Sequence, residues 1–267
     1  FPHEPRFHRL IIPILVYTRP MLKMYTRTPG NTTLHEVKDI KRGQWIRLEE
    51  PTAEEIRSVA ATLGLDESLI HDALDPFEAP RFEVENSGVY IFLRYPYSEE
   101  PAGTAPLLII LAKSTIVTVA SGTPKFLERF ASGAVSFYTT ERAKLLILFI
   151  AEIAGQYTAA MTTIRRAVNR RKQRIDEMSE QDIVEFATHE GTVNSFLDAL
   201  VPQANVLGKI ETGRTIEISQ AERELYMRLV ANSAPDGGET EIGEKNICTA
   251  YQGFLAATDS AIAPAMH

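Results

Sequence analysis

Hydrophobic and polar positions follow two different periods along this chain, and the change falls near residue 139. Before it, short apolar runs alternate with polar residues, the two-residue period of half-buried strands. LKMYT (22–26), LHEV (34–37) and QWIRL (44–48) read as three such strands. RFEVE (81–85) and VYIFLRY (89–95), separated by Asn86, Ser87 and Gly88, read as a hairpin, and LLIILA (107–112) with TIVTVA (115–120) reads as a second one around Lys113 and Ser114. Between these groups Ile56, Val59, Ala60 and Leu63 recur at helical spacing. Thr52 and Glu55 supply a capping box, and Gly64 stands where a left-handed C-cap belongs. A second short helix is expected from the cap Asp66 to about Leu74, because Pro76 disfavours helical geometry in Asp75.

From Thr139 to Ile175 the period is helical, a run far longer than the roughly twelve residues of an average helix. A second long segment, about Gln181 to Lys209, follows the cap Ser179 and is expected to be kinked or broken at Pro202. Further helical stretches are expected over Ser219–Ala231 and from Glu244 to about Ala263. The pattern predicts an α/β layer over residues 21–135, long helices over 136–231 and an interrupted helical segment over 232–267. Residues 1–20 read as a leader or expression-derived segment, with Met21 as the native start. Their apolar run, Leu10 to Tyr17, is broken by Pro13 and is too short to span a bilayer.

Composition narrows the function classes. A length of 267 residues with 44% hydrophobic and 24% charged residues supports a sizeable core. The 28 Lys and Arg against 35 Asp and Glu give a net charge of −7, which argues against a nucleic-acid partner. Cys248, the single cysteine, forms no internal disulfide and reads as an apolar filler. The apolar stretch AKLLILFIAEIAGQYTAAM carries Glu152 and Gln156 and suits a buried core helix. Phosphate loops, zinc-protease helices and nucleophile elbows are missing from the sequence, so an enzyme is not expected. The basic run Arg165–Arg174, with Arg166, Arg170 and Arg174 at four-residue spacing, reads as a solvated helix face, and His189 with Glu190 as a surface pair.

One stretch does hold candidate ligands. In LIHDALDPFEAPRFE (69–83), His71, Asp72 and Asp75 stand three and four residues apart around a helix end. Two readings are open from the residues alone: a helix end followed by a turn, or convergence on a hard cation such as magnesium or calcium, which carboxylate oxygens suit.

The same region resembles the cytosolic domain of the CorA family of magnesium and cobalt transporters. The resemblance is carried by the Trp-Ile-x-Leu strand end at Trp45, the Pro-Thr-x-Glu-Glu helix start at Pro51 and the Leu-Gly-Leu turn at Leu63. It continues through the acidic helix end, the Pro-Arg-x-Glu strand at Pro80 and the strand led by Tyr90. LIILAKSTIVTVASGTPKFLERF and FLDALVPQANVLGKI extend it, so that it covers about Met21 to Lys209. It implies an α+β fold: an α/β/α sandwich with a mixed, largely antiparallel sheet, followed by long helices. It implies a pentamer in the full-length channel, its last helix continuing into membrane spans beyond His267, with a monomer or weak oligomer for this stretch alone. The implied role is a regulatory domain on the cytoplasmic face of the membrane that senses magnesium, with cobalt or zinc as alternatives. The zinc-transporting branch and a free-standing soluble partner-binding module of this fold are the alternatives for the whole. By motif the sensing carboxylate falls on Asp72. Its partner from the neighbouring subunit falls on Asn246, next to Ile247, where the family often has Asp-Ile; Asn keeps an oxygen ligand without the charge. Pro235, Gly237, Gly238, Gly243 and Pro264 depart from the family's continuous stalk helix.

Overall fold

A computed structural model describes residues 22–85, 88–98, 102–172, 179–211 and 215–225. Seven strands form one sheet: β1 (Leu22–Thr28), β2 (Asn31–Val37), β3 (Gln44–Glu49), β4 (Arg81–Glu85), β5 (Gly88–Tyr97), β6 (Gly103–Ala112) and β7 (Ile116–Ala120). Their order is β2-β1-β3-β7-β6-β5-β4. Every neighbouring pair is antiparallel except β3 with β7, which run parallel and join the two halves of the sheet. The helices include α1 (Ala53–Leu63), α2 (Glu67–Asp72), α3 (Lys125–Ala131), α4 (Arg142–Lys172) and α5 (Glu180–Glu211).

The long central strands are apolar almost throughout because helices cover both faces of the sheet. On β5 and β6 the pairs Tyr90↔Ile110 and Phe92↔Leu108 face α1 and α2, where Ile56, Val59, Leu69 and Ile70 complete one core. The intervening pairs Ile91↔Ile109 and Leu93↔Leu107 face α3, α4 and α5 and belong to the second core. Trp45, fully buried, is the hub of that second layer. Tyr25 stacks on it at 5.1 Å, Phe130, Phe137 and Phe149 surround it, and its indole N–H donates to Thr118 Oγ1 at 3.0 Å. The result is the expected α/β/α sandwich followed by long helices. The outer strand β2 carries mainly polar exposed residues, which discourages further strand pairing at that edge.

Local signals are realised closely at α1: Thr52 Oγ1 accepts from the Glu55 N–H, Glu55 accepts from the Thr52 N–H, and Gly64 sits at φ 67°. Two boundaries differ from expectation. α2 stops at Asp72 rather than Leu74, and the backbone then makes successive tight turns, Leu74 N–H to His71 O and Asp75 N–H to Asp72 O, both at 3.0 Å. α5 is not broken at Pro202 but runs through it from Glu180 to Glu211. Pro202 deprives the Asp198 carbonyl of its helical bond, and Asp198 is exposed. Flanking Leu200, Ala204 and Leu207 are buried and hold the helix against the sandwich.

α4 is long and apolar enough to cross a membrane, yet Leu145, Leu146, Phe149, Ile153 and Tyr157 are buried in the second core, as expected of a core helix. Residues 220–225 are helical, within the expected 219–231 segment. Residues 1–20, the 226–267 segment with Asn246 and Cys248, the Asn86-Ser87 turn and Arg174 lie outside the described residues.

Candidate cation-sensing site

The site begins with the cap of α2. Asp66 Oδ1 accepts from the Ser68 N–H at 2.9 Å and the Leu69 N–H at 3.3 Å, and the Asp66 N–H donates to Tyr90 Oη at 2.7 Å. Hydrogen bonds from the Ser68 side chain and the Leu69 N–H hold the exposed Asp66 carboxyl below its ordinary value. With Leu69 and Ile70 buried beneath it, the helix presents His71 and Asp72 to solvent.

The three candidate ligands then diverge. His71 Nε2 lies 3.6 Å from Glu67 Oε1, one turn back along the helix. Asp75 Oδ1 accepts from the Phe77 N–H at 2.9 Å, which closes an Asx turn. Asp72 Oδ2 accepts from Arg81 Nη2 at 2.7 Å. Among the described residues no three or more His, Cys, Asp or Glu side chains are gathered to hold a metal ion. Of the candidates, Asp72 alone projects an acidic group free of turn closure, and Asn246 lies outside the described residues. Among the described residues the donor set is therefore incomplete for a hard cation.

Two arginines that sequence reasoning missed organise this surface. Arg81, opposite Phe92 in the β4–β5 ladder, donates to Asp72, Glu78 and Glu83, with its guanidinium carbon 3.7 Å from the Phe92 ring centroid. Alternation along β4 places Arg81 and Glu83 on one face, a signal that was present in the sequence. Arg94 is held by oxygens of the backbone and a hydroxyl. Nη1 donates to Glu78 O at 2.7 Å, Nη2 to Pro76 O at 2.9 Å and Thr104 O at 2.6 Å, and Nε to Thr104 Oγ1 at 2.8 Å. Burial pushes its pKa below the ordinary arginine value, with the nearest opposing charges only partly countering. Arg94 thereby pins the 76–78 turn, at whose tip Phe77 is 88% exposed. The backbone of Arg94, beyond the end of β4, is closed by the two long helices: its N–H donates to Gln203 Oε1, and Tyr157 Oη donates to its carbonyl at 3.1 Å.

The other chemical candidates remain apart from this surface. His189 pairs with Glu185, at 3.6 Å, and not with Glu190, because adjacent residues point about 100° apart on a helix while those four apart share a face. It borders an open cleft of about 710 Å³ between the end of β5 and helices α4 and α5, along with Tyr95, Gln156 and Phe196. Arg166 and Arg170 are exposed on α4, as a solvated face requires.

The sandwich followed by long helices is the fold of the CorA soluble domain. The chain superposes on the soluble domain of CorA from Methanocaldococcus jannaschii with a TM-score of 0.70 at 16% identity, covering 90% of this chain and 94% of that one. For the complete CorA magnesium transporter of the same organism the values are 0.69 and 17%, covering 91% and 75%. The cytoplasmic domain of ZntB from Vibrio parahaemolyticus RIMD 2210633 gives 0.62 and 12%, covering 91% and 97%. At these identities the likeness concerns the fold. No curated protein matches the chain. The family model described as CorA-like Mg2+ transporter protein matches residues 41–234, more than half of the sequence, and the chain belongs to that family.

Proposed function

We propose that this chain is the cytosolic, cation-sensing part of a divalent-cation channel for magnesium or cobalt, with Asp72 as its contribution to a site shared with a neighbouring subunit. The observation that carries the reading is the family match over residues 41–234 on a sandwich whose α2 ends in a half-exposed Asp72. Its chemistry is binding without bond making, so no enzyme activity is assigned. A dication held between Asp72 of one subunit and Asn246 of the next favours the closed assembly, and its loss shifts the population to the open one. His71 and Asp75 are assigned no ligand role, since each is engaged within its own turn. The assembly is a pentamer in the full-length channel at the cytoplasmic face of the membrane, and this stretch alone is a monomer or weak oligomer. The likeness to the ZntB cytoplasmic domain supports zinc as the second reading of the transported ion.

The test is limited proteolysis of the full-length protein across a magnesium titration, repeated with cobalt and zinc. Protection is expected for the wild type and for Asp75→Ala and is lost in Asp72→Ala. Equal protection in the wild type and Asp72→Ala refutes the role of Asp72, and protection by zinc alone moves the assignment to the zinc branch.

A further inference from the structure

We infer that Arg81 is an internal competitor for the cation at Asp72 and sets the concentration at which the site responds. The inference rests on the reading of Asp72 as a cation ligand and adds to it the group that must be displaced. Asp72 lies within the last turn of α2, where the helix dipole disfavours a carboxylate, and the charge compensating it within the chain is the Arg81 guanidinium at 2.7 Å.

Three features suit Arg81 to exchange rather than to permanent pairing. It is pre-placed: β4 pairing sets it opposite Phe92, whose ring lies under the guanidinium. It is shared: Glu78 and Glu83 hold its Nη1 and Nε, so surrendering Asp72 leaves the guanidinium charge-paired. Asp72 is also the most solvent-accessible of the three acceptors, with a side-chain exposure of 46% against 16% for Glu78 and 35% for Glu83. A dication arriving from solvent therefore meets Asp72 first, and the exposed ion pair it breaks is a weak one. A compact double charge holds a carboxylate oxygen more strongly than a delocalised single charge does, so exchange proceeds once the cation concentration outweighs the guanidinium already in place. Arg81 remains nearby afterwards and repels the bound ion, which raises the midpoint further.

The experiment is a cobalt(II) titration of the assembled full-length protein, read by the midpoint of its protection from limited proteolysis. Arg81→Gln removes both the competing partner and the repulsion and is expected to lower the midpoint about tenfold. Asp72→Asn placed on top of Arg81→Gln is expected to abolish that gain. Arg81→Lys keeps the charge but loses the three-way fork and the stacking on Phe92, and its midpoint is expected to fall between those of the wild type and Arg81→Gln. Glu83→Gln, a surface change that spares the fold, leaves Arg81 more fully on Asp72 and raises the midpoint about threefold. A midpoint unchanged in both Arg81→Gln and Glu83→Gln, or a gain that survives Asp72→Asn, overturns the competitor role while leaving Asp72 as a ligand. Protection that is equal in the wild type and Asp72→Asn across the titration removes the ligand reading and the competitor with it.

Discussion

Thr118→Val tests whether the second core depends on a single buried polar contact. Thr118 and Trp45 are each at most 1% exposed, and the indole N–H has Thr118 Oγ1 as its acceptor at 3.0 Å. Valine keeps the volume and removes the oxygen, stranding the N–H among Tyr25, Phe130, Phe137 and Phe149. A stranded buried donor costs ~1–3 kcal/mol, so ~2 kcal/mol is expected. With an unfolding entropy of about 2.1 cal/mol/K per residue over the chain, that loss lowers Tm by about 4 °C. Trp45 is the only tryptophan, so its emission follows unfolding without labelling. Thr118→Ser, which keeps the acceptor and loses one methyl, is the control and should cost ~1 kcal/mol. A Thr118→Val protein as stable as the wild type, or more stable than Thr118→Ser, refutes the claim that this bond matters.

Arg94→Met frees the Pro76 and Glu78 carbonyls and should speed hydrogen exchange of the 77–79 amides while leaving the centre of β5 protected; unchanged exchange there means that the Asp75 turn and Arg81 hold the segment without Arg94. Asp66 gives a pH prediction. Because its folded pKa is depressed, the stability it contributes is present above the ordinary value of 3.8 and is lost as pH falls through the folded value. Asp66→Asn keeps a capping oxygen without titrating, so its Tm deficit relative to the wild type should shrink as pH drops below 3.8, and a constant deficit contradicts the assignment.

What could be read in the sequence was what nearest neighbours decide. The Thr52-Glu55 box and Gly64 delimit α1 because capping is local, and the alternation through Tyr90–Leu93 sorts side chains between two cores because a strand has only two faces. Both hairpins follow from short turns. The parallel pairing of β3 with β7 could not be read, since it joins residues far apart in the chain and is set by helix packing on both faces. At the candidate site the residue types were visible but not their company. Arg81 is nine positions from Asp72 and reaches it only because the 73–80 turn doubles back onto the sheet. Arg94 was hidden inside an apolar strand pattern, and its partners, being backbone carbonyls, leave no mark in the sequence. His189 was misassigned to a sequence neighbour that helix geometry turns away.

The parallel seam between β3 and β7 also orders the assembly of the chain in time. Strands β4 to β7 form an antiparallel meander, and in the other half β1 pairs antiparallel with both β2 and β3; such local pairings form early. The seam needs partners 73 residues apart, counted from Trp45 to Thr118, and so meets the larger loop-closure entropy. Because the chain's sole tryptophan stacks on Tyr25 of its own half and bonds Thr118 across the seam, its emission during refolding reports both the pairing of β1 with β3 and the docking of the two halves.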